Sequence, residues 1–268
     1  MKTRVALTLI LGMLVPLVWQ AHTALGLKRA VSEGLVSFWS FDQDTVDAKT
    51  VKDVWGMNDG KIEGEPRVVE GKVAEGMEFN GSNQSVNVGD PADGSLDFGA
   101  RTDFTLEAWA FPRDSGSSMR IIDKKDGGDV GYMLEHNIFD GFQPYANDGQ
   151  GNPSRVLEGM THFNQWVHVV GVFERKGDVT LFVDGRLVRS VPSDSQGKED
   201  IDTKSPFYIG RRAGGERWKG ILDEIRVYNR ALNEEEIKQN FEARGGLAHA
   251  VELGGKLAVT WGRIKDSR

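Results

Sequence analysis

Five oxygen-bearing side chains carry the most suggestive chemistry in this sequence. Asp42 closes an apolar segment, Asp53, Asn58 and Asp59 lie in the glycine-containing turn 53–60, and Asp223 sits inside an apolar strand pattern near the other end. Carboxylates, amide oxygens and turn carbonyls are the donors that a hard cation such as Ca2+ collects, about six to eight at a time. A carboxylate within an apolar strand is also costly to bury unless it is paired or metal-bound. The pattern therefore predicts a structural calcium ion held by Asp42, Asp53, Asn58, Asp59 and Asp223, with Asp223 as the leading ligand. The competing reading pairs Asp223 with Arg226 or with Arg211 and Arg212, and gives Asp53 and Asn58 ordinary turn hydrogen bonds.

Catalytic chemistry is harder to assemble. Retaining glycoside hydrolysis needs two carboxylates about 5 Å apart in a cleft. Glu107 stands in an otherwise apolar strand, and Asp223 and Glu224 are adjacent, so regular alternation sends them to opposite faces. His162 and His168 are six residues apart, and a strand through Trp166, His168 and Val170 makes His168 a packed histidine; His22 and His249 lie near the two ends. The chain contains no cysteine nucleophile, no Gly-x-Ser-x-Gly elbow and no phosphate loop. The expectation is a non-enzyme with no catalytic residues.

Binding chemistry is better represented. Trp55, Tyr145 in QPYANDGQGN and Trp218 in GGERWKG stand among glycine and polar residues. Aromatic faces stack on sugar rings while neighbouring Asn, Asp and Gln bind hydroxyls, so these three are the candidate ligand-binding residues. Against that, Trp39, Trp109 and Trp166 fit a core, and Trp55 and Trp218 can equally cover sheet edges.

The elements that must position these groups are strands. Phe104–Phe111 alternates with period two, Trp166–Phe173 is strongly β in composition, and Gly34–Phe41, Lys72–Phe79, Ser85–Val88, Met119–Lys124, Val130–His136, Phe142–Ala146 and Phe207–Gly210 are short and end in Asp, Asn or Gly. Asp184-Gly185 between LFV and RLV is a strong hairpin signal. The stretch WKGILDEIRVYNRALNEEEI, 218–237, alternates to Tyr228, turns, and opens a helix at Asn233, whose capping box Glu236 completes. Ile237 and Phe241 share a face of that helix, Asn233–Ala243, and Gly245-Gly246 supplies a stop.

The totals agree with that organisation. The chain has 268 residues, 27% charged and 39% hydrophobic, with mean hydropathy −0.40, 33 glycines and a formal net charge of −7. Residues 1–26 have the form of a signal peptide: Lys2 and Arg4, an apolar run Val5–Val18, and a small-residue cleavage site near Gly26. That run is short of the ~20 residues a bilayer span needs, so the mature chain is expected to be exported with no membrane span. Removing Lys2 and Arg4 leaves 31 basic against 40 acidic side chains, a net −9 that argues against nucleic acid as a partner. An exported chain without cysteine must be stabilised by its core or by a metal.

In order along the chain, GLVSFWSFD, DVWGMNDGKIEG, GKVAEGMEFNGSNQSVNVG, FTLEAWAFP, QWVHVVGVFERKGDVTLFVDGRLV, FYIGRR and ILDEIRVYNRALNEEEI resemble the laminin-G-like, concanavalin A-like jelly rolls of the bacterial type related to pentraxins. The resemblance covers residues 33–244 and leaves 245–268 as a tail with one further strand-like segment, 256–261. It implies an all-β, two-sheet antiparallel sandwich with one C-terminal helix. It also implies frequent structural calcium, and carbohydrate or a cell-surface protein as partner. Two departures stand out. The Glu-x-Asp-x-x-Glu strand of related jelly-roll glycosidases is absent, and a loop that often reads Asp-Ser-Ser-Gly-Asn-Gly-Asn is here Asp53-Val54-Trp55-Gly56-Met57-Asn58-Asp59.

Overall fold

Alternating apolar residues give a strand one face to bury, and two such sheets bury those faces against each other. The computed structural model describes residues 29–150, 153–193 and 200–243. The signal segment, the tail with its strand-like 256–261, the Gly245-Gly246 stop, His22 and His249 lie outside those residues. The expected sandwich is present, as two antiparallel eight-stranded sheets.

The first sheet runs β14 (Arg186–Pro192), β13 (Asp178–Val183), β12 (Val167–Phe173), β7 (Phe104–Pro112), β16 (Lys219–Tyr228), β5 (Glu75–Asn80), β4 (Arg67–Glu70), with β1 (Leu35–Trp39) also paired to β16. The second runs β11 (Ser154–Arg155), β10 (Gly141–Asn147), β9 (Gly131–Asn137), β8 (Met119–Lys125), β15 (Phe207–Ile209), β6 (Ser85–Gly89), β3 (Gly60–Glu63), β2 (Thr50–Val51). First and last strands are neighbours, Trp39 facing Ile225 and Leu35 facing Tyr228.

Between the sheets lies the main core, which includes Trp39, Leu106, Ile122, Leu134, Leu181 and Leu222. Phe104 stacks between Phe98 and Phe173 with centroids at 4.5 and 4.3 Å. A smaller core of Phe38, Val170, Phe182, Tyr228, Leu232 and Ile237 lies on the other side of the first sheet. It is covered by α1 (Glu234–Glu242), whose cap is the expected box: Asn233 accepts from the Glu236 N–H and Glu236 accepts from the Asn233 N–H. Phe241 stacks on Trp109 at 5.5 Å.

Three features depart from simple alternation. The short strands β4 and β11 have no distinct sequence signal. Trp218, placed by its neighbours in an exposed loop, is 0% exposed and belongs to the main core. β16 carries a bulge: Asp223 faces Trp109 but Arg226 faces Glu107, so three residues on β16 span two on β7, and Glu224 takes φ +52°.

Candidate functional site

Three polar clusters compete for a chemical role. The first is on the helix side of the first sheet. Glu107 receives Arg226 Nη1 at 2.9 Å and Asn240 Nδ2 at 2.6 Å, and His168 Nε2 lies 3.0 Å away. Arg226 also pairs with Glu224 and stands 4.5 Å over the Phe38 ring. Burial works to raise the Glu107 pKa, but Arg226, then His168 and Asn240, outweigh it and hold the carboxyl below its usual range. Glu107, His168 and Arg226 are all buried. This is the packed His168 that its strand position predicts, and its role is to fasten the helix to the sheet.

The second cluster tests the calcium expectation, and the five residues divide. Asp53 Oδ1 accepts the N–H groups of Phe38, Trp55 and Gly56, and its Oδ2 accepts that of Asn58. Asp59 accepts the Asp53 N–H, while Asn58 Nδ2 donates to Ser37 Oγ and Ser95 Oγ and its Oδ1 accepts from Ser95 Oγ. The oxygens of this turn are thus spent on holding the loop, as the competing reading has it. Asp42 and Asp223 share a different neighbourhood, joined by Glu224. Asp223 Oδ2 accepts from the N–H groups of Lys72 and Val73 at 2.8 and 2.9 Å, rather than from any arginine. Asp223 Oδ1 and Glu224 Oε1 are buried and accept nothing. Burial, then the charge of Glu224, push the Asp223 pKa well up; burial raises Glu224 to about 7, with Asp42 and Glu107 adding to it against Arg226. Two orphaned buried oxygens beside a third carboxylate are the chemistry a hard cation relieves, although no three His, Asp or Glu side chains among the described residues converge tightly enough to hold an ion as they stand.

The third cluster lies on the outer face of the second sheet, away from the first. Residues such as Val86, Ile122, Leu134, Phe142, Ala146, Phe207 and Ile209 point into the core, so their neighbours point out. Register aligns seven of these in one line across the strands: Lys61, Asn87, Tyr208, Asp123, Met133, Tyr145, Arg155. Six interstrand steps of about 4.8 Å make that line roughly 29 Å long. Its middle is closed and its ends, Lys61 and Arg155, are exposed. Beside it, Arg120 pairs with Asp123, Glu135 and Glu216, and Lys125 Nζ stands 4.1 Å over the Tyr145 ring. Burial raises Asp123 to about 6, against the opposing pull of Arg120. A cleft of about 450 Å3 opens here, lined by Lys125, Asp126, Ser205, Arg212 and Glu216 among others.

Of the three expected ligand-binding aromatics, Trp55 is 43% exposed, with its ring fixed by an Nε1–H bond to the Leu35 carbonyl at 2.8 Å. Tyr145 is 4% exposed and bonds Asp129, so it stands within the line of polar residues without offering a free face. Trp218, inside the core, has no face to stack on a sugar; a Gly-rich neighbourhood is not evidence of exposure when the next residues enter a central strand. Asn87, Asp123, Tyr208 and Arg217 escaped sequence reasoning, which considered Arg211 and Arg212 only as partners of Asp223, because only the pairing of distant strands makes them neighbours.

A family model described as the concanavalin A-like lectin/glucanases superfamily matches residues 80–238, more than half of the chain. Paraclostridial mosquitocidal protein 1 of Paraclostridium bifermentans is 24% identical over 223 residues, covering 74% of this chain and 17% of that protein. The solved binding domain of that protein superposes with a TM-score of 0.63 at 21% identity, over 78% of this chain and 52% of that one. Domain 4 of the arabinanase AbnA from Geobacillus stearothermophilus, solved with arabinotriose, gives 0.56 at 18% identity, over 78% of this chain and 98% of that one. The chain thus spans under a fifth of the mosquitocidal protein and about half of its solved binding domain; at these identities the structures establish a shared fold.

Proposed function

Since the chain belongs to the concanavalin A-like lectin/glucanase superfamily, we propose that it is an exported, non-catalytic module that binds carbohydrate across the outer face of its second sheet. The observation that carries this reading is the line Lys61–Asn87–Tyr208–Asp123–Met133–Tyr145–Arg155 beside the 450 Å3 cleft. It sets fixed charged and hydrogen-bonding groups, open to solvent at Lys61 and Arg155, beside that cleft, and a few placed polar groups in a concave site orient a sugar. The arabinotriose bound to the AbnA domain supports the same class of ligand. The non-catalytic reading is supported by the carboxylates themselves: Glu107 and Glu224 are buried and both pair with Arg226, and Asp123 and Glu135 both pair with Arg120. Calorimetric titration with a panel of oligosaccharides tests the proposal. Binding that weakens in Tyr208→Ala and Arg212→Ala is the expected result; no binding to any glycan, or cleavage of one, overturns it.

Of the five residues expected to hold calcium, Asp42 and Asp223 are proposed as its ligands, because Asp223 keeps a buried oxygen without a hydrogen bond and Asp42 lies in its neighbourhood. A ligand held only by the native state must stabilise it, so equal melting midpoints in calcium and in EDTA would sink this part. Export is proposed on the leader-like residues 1–26, and N-terminal sequencing of the secreted chain checks it. No helix among the described residues is long and apolar enough to cross a membrane.

A second reading, binding to a cell-surface protein, has its own observation. Phe139 and Met160 are 81% and 59% exposed on loops that meet where Gly141 bridges Met160. Capture of a protein partner that Phe139→Ser releases, with no glycan bound, would favour it.

A further inference from the structure

Loop 211–217 follows β15 and returns over the outer face of the second sheet, bringing two guanidinium groups to the open end of the polar line. Arg211 is fixed from every side. Its Nη1 donates to Glu63 at 2.9 Å, its Nε and Nη2 donate to the carbonyls of Arg212 and Ala213 at 3.0 and 2.8 Å, and its guanidinium lies 4.6 Å over the Tyr208 ring. Glu63 is equally committed: it accepts from Ser85 Oγ at 2.8 Å and Asn87 Nδ2 at 3.0 Å as well as from Arg211. One carboxylate and one guanidinium are therefore matched.

Arg217 is the charge left over. It has no ion-pair partner among the described residues, whereas Arg120, Arg211 and Arg212 on the same face each reach a carboxylate. Its Nη1 is buried and donates to nothing. Burial, then the nearby charge of Arg211, lower its pKa, and Glu63 and Tyr208 only partly offset this. A buried donor left without a partner is costly, and more so when it belongs to a charged group. The cation also belongs to a chain of net charge −7, so general attraction does not explain an anion site; a local one must be built.

We propose that Arg217, with Arg211 beside it, receives an oxyanion carried by the saccharide, so that the ligand of this face is an acidic glycan rather than a neutral one. The inference rests on the carbohydrate reading above and deepens it. A guanidinium offers parallel N–H donors that match the two oxygens of a carboxylate or of a sulfate ester.

The full chain is titrated with oligogalacturonate, sialyllactose and chondroitin sulfate, each beside a neutral counterpart: the methyl-esterified oligogalacturonate, lactose and the unsulfated chain reduced at its carboxyls. These arms separate a uronate, a sialic acid and a sulfate ester as the source of the oxyanion. At least one acidic member is expected to bind more tightly than its counterpart, and Arg217→Gln to weaken it by about 10- to 100-fold, as loss of a charge-assisted hydrogen bond implies. Arg217→Gln should melt no lower than the parent without ligand, because it removes an unmatched charge. Sulfate ion at fixed ionic strength provides a readout independent of any sugar: it should raise the melting midpoint of the parent above that in chloride by more than it raises that of Arg217→Gln, whose smaller rise reports the general exclusion of sulfate from protein surfaces. Equal affinity for acidic and neutral members, or an equal sulfate effect on parent and variant, overturns the inference. Sulfate stabilisation reduced in Arg217→Gln while no glycan binds keeps the anion site and overturns the carbohydrate reading instead.

Discussion

The residue that most sharply separates what patterning can and cannot reveal is Arg226. Its strand position marks it as one of the outward members of an alternating run, yet it is buried between Glu107 and Glu224, because α1 covers that face of the sheet. Breaking such a buried pair leaves charges without partners, at about 3–5 kcal/mol. Arg226→Met should therefore lower stability by roughly that amount in urea melts, and adding Glu107→Gln should recover part of it; a single variant as stable as the parent would contradict the network. Asp123 makes a pH-dependent prediction. Its folded pKa is raised to about 6 by burial, against ~3.9 unfolded. The native state then holds the extra proton between those values, so this group's contribution is fully present below pH ~4 and falls as pH rises to ~6, by on the order of 3 kcal/mol. His136, lowered to about 4 by burial and then by His162, acts in the opposite sense, adding stability as pH rises from its folded value toward ~6.5. The difference between the parent and Asp123→Asn melts isolates the first effect; parallel stability curves from pH 4 to 7 would refute it. Neither residue was identifiable as a site from sequence, because nothing local records that Asp123 lies between Tyr208 and Met133.

At the scale of elements, local rules were more informative. Asp184-Gly185 forms the expected hairpin with φ of +49° and +71°, both central residues in the left-handed region that a type I′ turn requires. A Cβ on Gly185 would also meet Phe241 of α1 at 3.2 Å, so the turn sets the seating of the helix as well as the strand register. Gly185→Val should destabilise more than the cap change Asn233→Ala, which removes one hydrogen bond worth about 1 kcal/mol; thermal melts of the two variants order them, and the reverse order would show that the helix seats independently of the hairpin. The strand and helix patterns were legible because each is written within ten or so residues. The bulge in β16 was not. Perfect alternation through ILDEIRVY assigns Asp223 and Glu224 to opposite faces, and only the pairing of Asp223 with Trp109 and Arg226 with Glu107 reveals the inserted residue. β4 was missed because its two valines are flanked by charge, and β11 because it is only two residues long.

At the scale of the molecule, the sandwich follows from the ordered strands, and the adjacency of β1 and β16 was foreseeable from their positions in that order. What makes it consequential is where β16 lies. It is not at the rim of its sheet but between β7 on one side and β5 and β1 on the other. Remove it, and the first sheet falls into the blocks β14-β13-β12-β7 and β5-β4, with β1 left unpaired. Every one of its pairings joins positions far apart in the chain, and such contacts form late, since the cost of closing the loops precedes their reward. Assembly is thus timed by the last strand of the sandwich: a growing chain cannot reach its native form until Tyr228 has been made. A chain ending at Glu216 should show no cooperative melting transition, while one ending at Ala243 should melt as a single unit. The keystone arrives last of the strands, and every strand made before it must wait.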